Sequence, residues 1–208
     1  MRLGVFGGSF DPPHVGHLLV AQDAITALSL DRLLIVPAAQ QPLKPGQHAS
    51  AADRLAMVQR AFAGVSGVVV DPIEIERGGL SFMVDTVETF QRRWPLAELY
   101  LLMGEDVVAT LPRWREPERL CAMARLVILR RDFVGEATGS HSHSHDAPGF
   151  PVQHLATRRV DVSSTEIRAR VREGRSVRGF VTDAVADYIA STGLYFRDPV
   201  AEDVSARA

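Results

Sequence analysis

Five short apolar runs recur along the chain, and within them apolar and polar residues do not alternate. The runs cover residues 3–6, 33–36, 68–70, 99–103 and 126–129. Runs of this kind, bounded by turn residues, are typical of strands that are buried on both faces of a parallel sheet. The pattern therefore predicts five strands of such a sheet.

The segments between these runs carry apolar residues at helical spacing. This holds for residues 15–28, 51–62 and 82–94. Ser50 suits an N-cap before the second segment, and Pro95 ends the third. The alternation of strands and helices predicts an α/β fold, a doubly wound, Rossmann-like parallel sheet with helices on both faces and right-handed crossovers.

The pattern changes in the last third of the chain. Residues 132–151 are rich in Gly, Ser, His, Asp and Pro and predict a loop, and residues 160–162 predict a last short strand. Ser163, followed three residues later by Glu166, has the spacing of a capping box and predicts a helix to about residue 173.

A second C-terminal helix is predicted over residues 182–190, because Gly193 fits its end. We expect a single domain over residues 1–196, whose part 162–196 forms a small helical C-terminal part. Residues 197–208 are expected to form a flexible tail.

Composition excludes several classes of protein. The 208 residues are 46% apolar and 23% charged with a net charge of -2, which indicates a soluble globular protein and argues against a nucleic-acid binder. No apolar run approaches the roughly 20 residues of a membrane helix, so no membrane partner is expected. Cys121 is the only cysteine, so no internal disulfide can form. The N-terminus does not have the pattern of a signal peptide, and the cytoplasm is the expected location.

The first candidate for chemistry is the turn after the first strand, residues 7–17 (GGSFDPPHVGH). In a doubly wound fold this turn lies at the carboxyl edge of the sheet, where ligands bind. The helix that follows offers N–H groups and a positive dipole end, which favour phosphate. His14 and His17 lie one before that helix and one in its first turn. The turn matches neither the Gly-x-Gly-x-x-Gly fingerprint nor a Walker A loop.

The second candidate is the segment 163–168 (SSTEIR). It reads as a helix N-terminus rich in hydroxyl groups with an arginine one turn further on, which can bind an anion. A simple helix cap explains the same serines and threonine without any ligand.

Together the two segments resemble the paired signature of the nucleotidyltransferase superfamily, His-x-Gly-His and Ser-Ser-Thr-x-Ile-Arg. Three segments between them are similar to bacterial nicotinate-mononucleotide adenylyltransferases. One is the proline-rich loop 37–45 (PAAQQPLKP), in which Leu43 replaces the family's histidine and which holds Lys44, the only lysine among 23 basic residues. The second is 76–86 (ERGGLSFMVDT). The third pairs Gly104-Glu105-Asp106 with Trp114.

The resemblance implies transfer of AMP from ATP to nicotinate mononucleotide, with release of diphosphate and formation of deamido-NAD. It implies four catalytic residues, namely His14, His17, Lys44 and Arg168. The positions that match the family's ATP-binding residues are Gly7, Gly8, Ser9, Phe10, Gly16, Gly104, Asp106, Ser163, Ser164 and Thr165. Those that match its nicotinate-binding residues are Thr86, Trp114 and Arg115. Mg²⁺ is expected to arrive with ATP rather than in a metal site of the protein.

Several alternatives stay open at this point. Asp106 also suits a helix N-cap, and Trp114 also suits a core position. The histidines at 141, 143 and 145 could suggest a metal site, although a polar surface loop explains them better. The end motifs also occur in phosphopantetheine adenylyltransferases, and a cytidylyltransferase or a non-catalytic nucleotide sensor of the same fold is a further rival. A homo-oligomer is compatible with the sequence.

Overall fold

The computed structural model describes residues 1–43, 46–132 and 149–196. Lys44, the histidines at 141, 143 and 145, and the predicted tail 197–208 lie outside the described residues. The predictions made for them therefore stay predictions.

The strands form one parallel sheet of six. Their order across it is β3-β2-β1-β4-β5-β6. The strands are β1 (Arg2–Gly8), β2 (Arg32–Pro37), β3 (Val68–Val70), β4 (Glu98–Gly104), β5 (Arg125–Asp132) and β6 (Val152–Arg158). Neighbouring strands pair in register, so that Val5 lies between Leu34 and Leu101. The predicted doubly wound sheet is confirmed. Its order changes direction at β1, with β2 on one side and β4 on the other.

Helices cover both faces of the sheet. They are α1 (Val15–Ala27), α2 (Ala51–Ala61), α3 (Ile73–Arg77), α4 (Met83–Arg93), α5 (Glu105–Val108), α6 (Pro117–Met123), α7 (Ser164–Arg172) and α8 (Asp183–Thr192), with a 3-10 turn at Leu111–Arg113. Buried residues of α1, α2, α7 and α8 pack on one face of the sheet, and those of α4, α5 and α6 pack on the other. Each face therefore has its own apolar core, as burial of the strands on both sides requires.

The ends of the helices follow the predicted signals. The Ser50 hydroxyl accepts a hydrogen bond from the Asp53 N–H at 3.1 Å at the start of α2. The Ser163 hydroxyl accepts one from the Glu166 N–H at 3.1 Å at the start of α7. Gly193 ends α8 in a left-handed conformation that favours glycine.

The prediction of the last strand is wrong in position. The strand was expected at residues 160–162, but β6 runs over Val152–Arg158. β6 is an edge strand, and most of its side chains are exposed. An edge strand needs no continuous apolar run. The other edge strand, β3, has such a run and was predicted, but β6 has none, so the criterion fails here. β5 reaches Asp132 and β6 begins at Val152, and residues 133–148 of the predicted loop 132–151 lie outside the described residues.

The helical C-terminal part belongs to the same core as the sheet. Ile167 and Val171 of α7 and Val185 and Ile189 of α8 are buried together with α1 and α2. A core shared in this way is compatible with the predicted single domain over residues 1–196. The boundary of that domain stays a prediction. Among the helices that the structure describes, none is long and apolar enough to cross a membrane.

Candidate active site

A cleft opens at the carboxyl edge of the sheet, between the ends of β1 and β4. This is the point at which the strand order changes direction, where doubly wound sheets bind ligands. The residues at its rim and floor come from β1, β4 and the segments that follow β2, β3 and β4. They include Gly7, Gly8, Gln41, Glu74, Ser81, Phe82, Met83, Gly104, Asp106, Arg113, Trp114 and Arg115.

The β1–α1 loop holds the two candidate histidines side by side. The ring centroids of His14 and His17 lie 3.8 Å apart. The His14 backbone N–H donates to Nδ1 of His17 at 3.1 Å. Since Nδ1 acts as an acceptor, the neutral His17 ring carries its proton on Nε2 and presents that N–H as a donor.

Aromatic packing holds the His17 ring in place. The Phe10 ring meets it edge to face at a centroid distance of 5.0 Å, and the Phe6 ring lies 6.1 Å away. Phe10 is buried although its φ of 48° lies in the left-handed region, which costs a residue with a side chain about 1 kcal/mol or more. Its apolar packing offsets that cost.

Gly16 is required by the position of the His14 ring. A Cβ atom on residue 16 would lie 3.0 Å from Cε1 and Nδ1 of His14, which is closer than Cβ contacts normally come. The middle glycine of the His-x-Gly-His motif thus leaves room for the first histidine.

The second motif packs directly on the first. The Ser164 hydroxyl donates to the carbonyl of Pro12 at 2.8 Å, and Nη1 of Arg168 donates to the carbonyl of Asp11 at 2.7 Å. Nη2 of Arg168 bonds the Thr165 hydroxyl at 3.2 Å. Within the described ranges, the buried Nε of Arg168 has no hydrogen-bond partner. The structure therefore brings both predicted motifs to one place.

The far end of the cleft is formed around Trp114. Its indole N–H donates to the Thr110 hydroxyl at 3.0 Å, and the half-buried ring borders the cleft. The guanidinium of Arg115 lies 4.9 Å above the Phe82 ring and pairs with Asp85 at 3.3 Å. A flat pocket wall and a cation therefore stand beside the N-terminus of α4, which begins after Phe82.

Gly104 and Asp106 form the β4 side of the cleft. Asp106 lies in the first turn of α5, and its carboxylate folds back over Gly104. A Cβ on residue 104 would lie 2.6 Å from Oδ1 of Asp106. The exposed carboxylate can accept hydrogen bonds from the hydroxyl groups of a ligand in the cleft.

Comparison with known proteins identifies the family. A family model described as cytidylyltransferase-like matches residues 5–170. A protein of Gemmatimonas aurantiaca with the name "Probable nicotinate-nucleotide adenylyltransferase" is 64% identical over 199 residues, which are 96% of this chain and 94% of the relative. A relative of the same name from Roseiflexus sp. is 41% identical over 93% of this chain and 97% of its own length. The chain belongs to the nicotinate-nucleotide adenylyltransferase family.

Solved structures of adenylyltransferases have the same fold as this chain. A nicotinic acid mononucleotide adenylyltransferase from Plasmodium falciparum, complexed with NaAD, superimposes with a TM-score of 0.73. It is 20% identical, and the match covers 94% of this chain and 97% of that one. At this identity the likeness concerns the fold.

Of the predicted site residues that the structure describes, six border the cleft, namely Gly7, Gly8, Gly104, Asp106, Trp114 and Arg115. The others are not part of its lining, namely Ser9, Phe10, His14, Gly16, His17, Thr86, Ser163, Ser164, Thr165 and Arg168. Thr86 is fully buried under the first turn of α4, and its N–H donates to the Phe82 carbonyl at 3.4 Å. The Thr86 hydroxyl donates to Oε1 of Glu74 at 2.6 Å and accepts from Nη2 of Arg77 at 3.1 Å. The backbone carbonyl of Ser9 accepts a hydrogen bond from Arg54, and this bond helps to hold the β1–α1 loop.

The adenylyltransferase motifs in the sequence assign no role to Asp11, but the structure does. Its buried carboxylate accepts from the N–H groups of His48 and Ala49 at 2.7 and 3.2 Å, and from the Tyr195 hydroxyl at 2.7 Å. Burial, followed by the charge of Asp11, raises the pKa of Tyr195, so that the phenol keeps its proton. Only the fold reveals this contact, because 184 residues separate Asp11 from Tyr195.

Arg54 of α2 is a second residue that was missed. Its fully buried guanidinium donates to the carbonyls of Ser9 at 3.0 Å, Ala39 at 2.8 Å and Ala49 at 3.3 Å. Burial lowers the pKa of Arg54, while the charge of Asp11 acts in the opposite direction. An arginine inside an amphipathic helix pattern usually indicates the exposed face, so sequence alone gives no signal for this contact.

Proposed function

We propose that this chain transfers the AMP group of ATP to nicotinate mononucleotide and forms deamido-NAD and diphosphate. One observation carries the proposal: Gly7 and Gly8 of the first motif border the same cleft as Trp114, and the second motif packs on the first. A donor of AMP and an acceptor that bears a flat ring would thus lie end to end. The names of the close relatives support the same reaction.

In the proposed reaction, a 5′-phosphate oxygen of nicotinate mononucleotide attacks the α-phosphorus of ATP. The bond from the α-phosphorus to its bridging oxygen breaks, and diphosphate leaves with that electron pair. No covalent enzyme intermediate is needed, because the acceptor phosphate is itself a nucleophile. Catalysis then consists of positioning and of stabilising negative charge in the transition state.

The β1–α1 loop supplies that stabilisation. His17 Nε2–H and the adjacent His14 ring would contact the α-phosphate as its charge develops. The guanidinium of Arg168, which bonds the Asp11 carbonyl and the Thr165 hydroxyl, would place a positive charge beside the triphosphate. Lys44 and the hydroxyl groups of Ser163, Ser164 and Thr165 are proposed to assist. The roles of these residues stay predictions.

Mg²⁺ enters the proposed reaction as part of the substrate, MgATP. Across residues 1–43, 46–132 and 149–196, His, Cys, Asp and Glu form no group of three that could hold a metal ion. The carboxylate of Asp11, which belongs to the β1–α1 loop, is already bonded to two N–H groups and a phenol. We therefore propose that phosphate oxygens and water hold the ion.

At the acceptor end, Trp114 would stack on the pyridine ring, and Arg115 with the N-terminus of α4 would attract its carboxylate. Asp106 would accept hydrogen bonds from ribose hydroxyl groups. A homo-oligomer and a cytoplasmic location also stay predictions.

The test is an assay of diphosphate release. The protein is incubated with MgATP and, in separate reactions, with nicotinate mononucleotide, nicotinamide mononucleotide or phosphopantetheine. We expect the fastest release with nicotinate mononucleotide. Faster release with phosphopantetheine would favour the rival adenylyltransferase, and no release with any acceptor would favour a nucleotide sensor.

A further inference from the structure

Glu74 is the most deeply buried carboxyl group at the cleft. It lies in the short helix α3, it is 2% exposed, and it borders the cleft floor. A buried carboxyl group is costly unless it is hydrogen-bonded, so an apolar residue would serve a purely structural purpose at least as well. The contacts of Glu74 indicate what it does instead.

The first contact holds the helix that faces the acceptor. The Thr86 hydroxyl, one turn into α4, donates to Oε1 of Glu74 at 2.6 Å. Arg77 of α3 donates to the same hydroxyl at 3.1 Å. The first turn of α4, whose Phe82 and Met83 border the cleft, is therefore anchored from beneath by Glu74.

The second contact leads toward the loop after β2. The Ser81 hydroxyl interacts with the Glu74 carboxyl group and accepts a hydrogen bond from the Ala39 N–H at 2.9 Å. The Ala39 carbonyl in turn accepts from Arg54, which also holds Ser9 in the β1–α1 loop. Glu74 thus lies at the acceptor end of a chain of polar contacts, and Arg54 lies at the phosphate end.

We propose that Glu74 is a positioning residue for the acceptor: through Thr86 and Ser81 it fixes the first turn of α4 against the cleft. The inference rests on the proposed function, in which that turn faces the pyridine carboxylate. Without the anchor, the N–H groups of α4 shift relative to Trp114, and the acceptor loses affinity. ATP binding is expected to persist, because the bonds from Arg54 and α7 to the β1–α1 loop do not involve Glu74.

The test compares Michaelis constants for the two substrates in four variants. Glu74→Ala removes the anchor, and Glu74→Gln keeps an acceptor oxygen for Thr86. Thr86→Val removes only the hydroxyl group of the partner. Tyr188→Phe is the matched control, because it removes a similar hydrogen bond, to Asp53, between α8 and α2 and away from the cleft.

We expect Glu74→Ala and Thr86→Val to raise the KM for nicotinate mononucleotide about tenfold or more, and that for ATP less than about twofold. Glu74→Gln should stay within about threefold of the wild type for both. Tyr188→Phe should lower thermal stability without a preference for either substrate. If Glu74→Ala does not fold, as judged by circular dichroism, Thr86→Val decides.

Equal rises in both KM values, or a loss of stability with unchanged KM values, would overturn the inference. So would a Glu74→Gln variant as impaired as Glu74→Ala. These outcomes are distinct from a failure of the proposed function, since that failure shows as wild-type protein that releases no diphosphate with nicotinate mononucleotide.

Discussion

The side chain of His17 shows how closely the loop controls a single ring. A backbone N–H bond to Nδ1 sets its tautomer, and Phe10 limits its rotation. A ring held in this way needs no reorganisation as charge develops on a bound phosphate, which is the condition for electrostatic stabilisation of a transition state.

Replacement of His17 by alanine should therefore lower kcat by ~10²–10³-fold, the usual cost of losing one preorganised donor. The fold should persist, since the ring is only half-buried. Steady-state kinetics and circular dichroism measure the two effects. His154→Ala, an exposed histidine on β6, is the matched control and should turn over normally. A His17→Ala variant with wild-type kcat would exclude the residue from the chemistry.

Lys44→Ala tests the one basic residue of the proline-rich loop. Loss of a charge-assisted contact to the triphosphate should cost roughly 1.5–3 kcal/mol, which corresponds to a rise of about tenfold or more in the KM for ATP. The KM for the acceptor should change little. Unchanged kinetics for both substrates would show that Lys44 is a surface charge only.

Among the elements, the N-terminus of α4 and the turn that ends in Trp114 face each other across the acceptor end of the cleft. The first N–H groups of a helix have no partner within it and favour a negative charge. Arg115 adds a positive charge on the same side, where it also pairs with Asp85 of α4.

We therefore expect kcat/KM for nicotinate mononucleotide to exceed that for nicotinamide mononucleotide by at least about tenfold. A carboxylate accepts from two donors, whereas the amide turns its NH₂ toward one of them and leaves a buried N–H unpaired, at a cost of ~1–3 kcal/mol. Kinetics with both mononucleotides measure the ratio, and equal efficiencies would contradict the pocket. Trp114→Ala serves as the control, since it should weaken both acceptors by similar factors.

The sequence predicts the strands that carry continuous apolar runs and the helices that begin at a serine cap. Strands such as β4, buried on both faces, show as continuous apolar runs, and α2 and α7 begin where Ser50 and Ser163 predict. The exposed edge strand β6 and the short helices α3 and α5 give no such pattern, because few of their side chains enter the core.

The same limit applies to the site. Motifs predict His14, His17 and Arg168 because they are local in sequence. Asp11, Arg54 and Glu74 act through contacts with residues that lie far away along the chain or through buried hydrogen bonds, and no local pattern reveals these.

For the whole molecule, Glu74 gives stability a dependence on pH. Burial raises the pKa of Glu74 above its ordinary value of 4.5. Below about pH 4.5 both folded and unfolded chains hold the proton. As pH rises, the unfolded chain loses the proton first, so this residue's contribution to the free energy of unfolding declines until the pH passes the folded-state pKa.

Glu74→Gln should remove the decline in the free energy of unfolding that Glu74 causes as the pH rises. The free energy of unfolding of the wild type, measured in urea relative to this variant, should be larger at pH 5 than at pH 8. Glu166→Gln, at an exposed glutamate of α7, is the control and should leave the pH profile of the wild type nearly unchanged. A difference between wild type and Glu74→Gln that does not vary with pH would contradict the raised pKa.

The contacts of Asp11 and Pro12 with residues 164, 168 and 195 also determine when the site can be completed during synthesis. The β1–α1 loop is translated before these partners, which follow it more than 150 residues later. A nascent chain that stops before α7 can pair β1 with β2 and β4, but its loop lacks the bonds to Ser164, Arg168 and Tyr195. Assembly of the site is thus tied to synthesis of residues 164–195, and a chain that stops before them carries the sheet without a complete site.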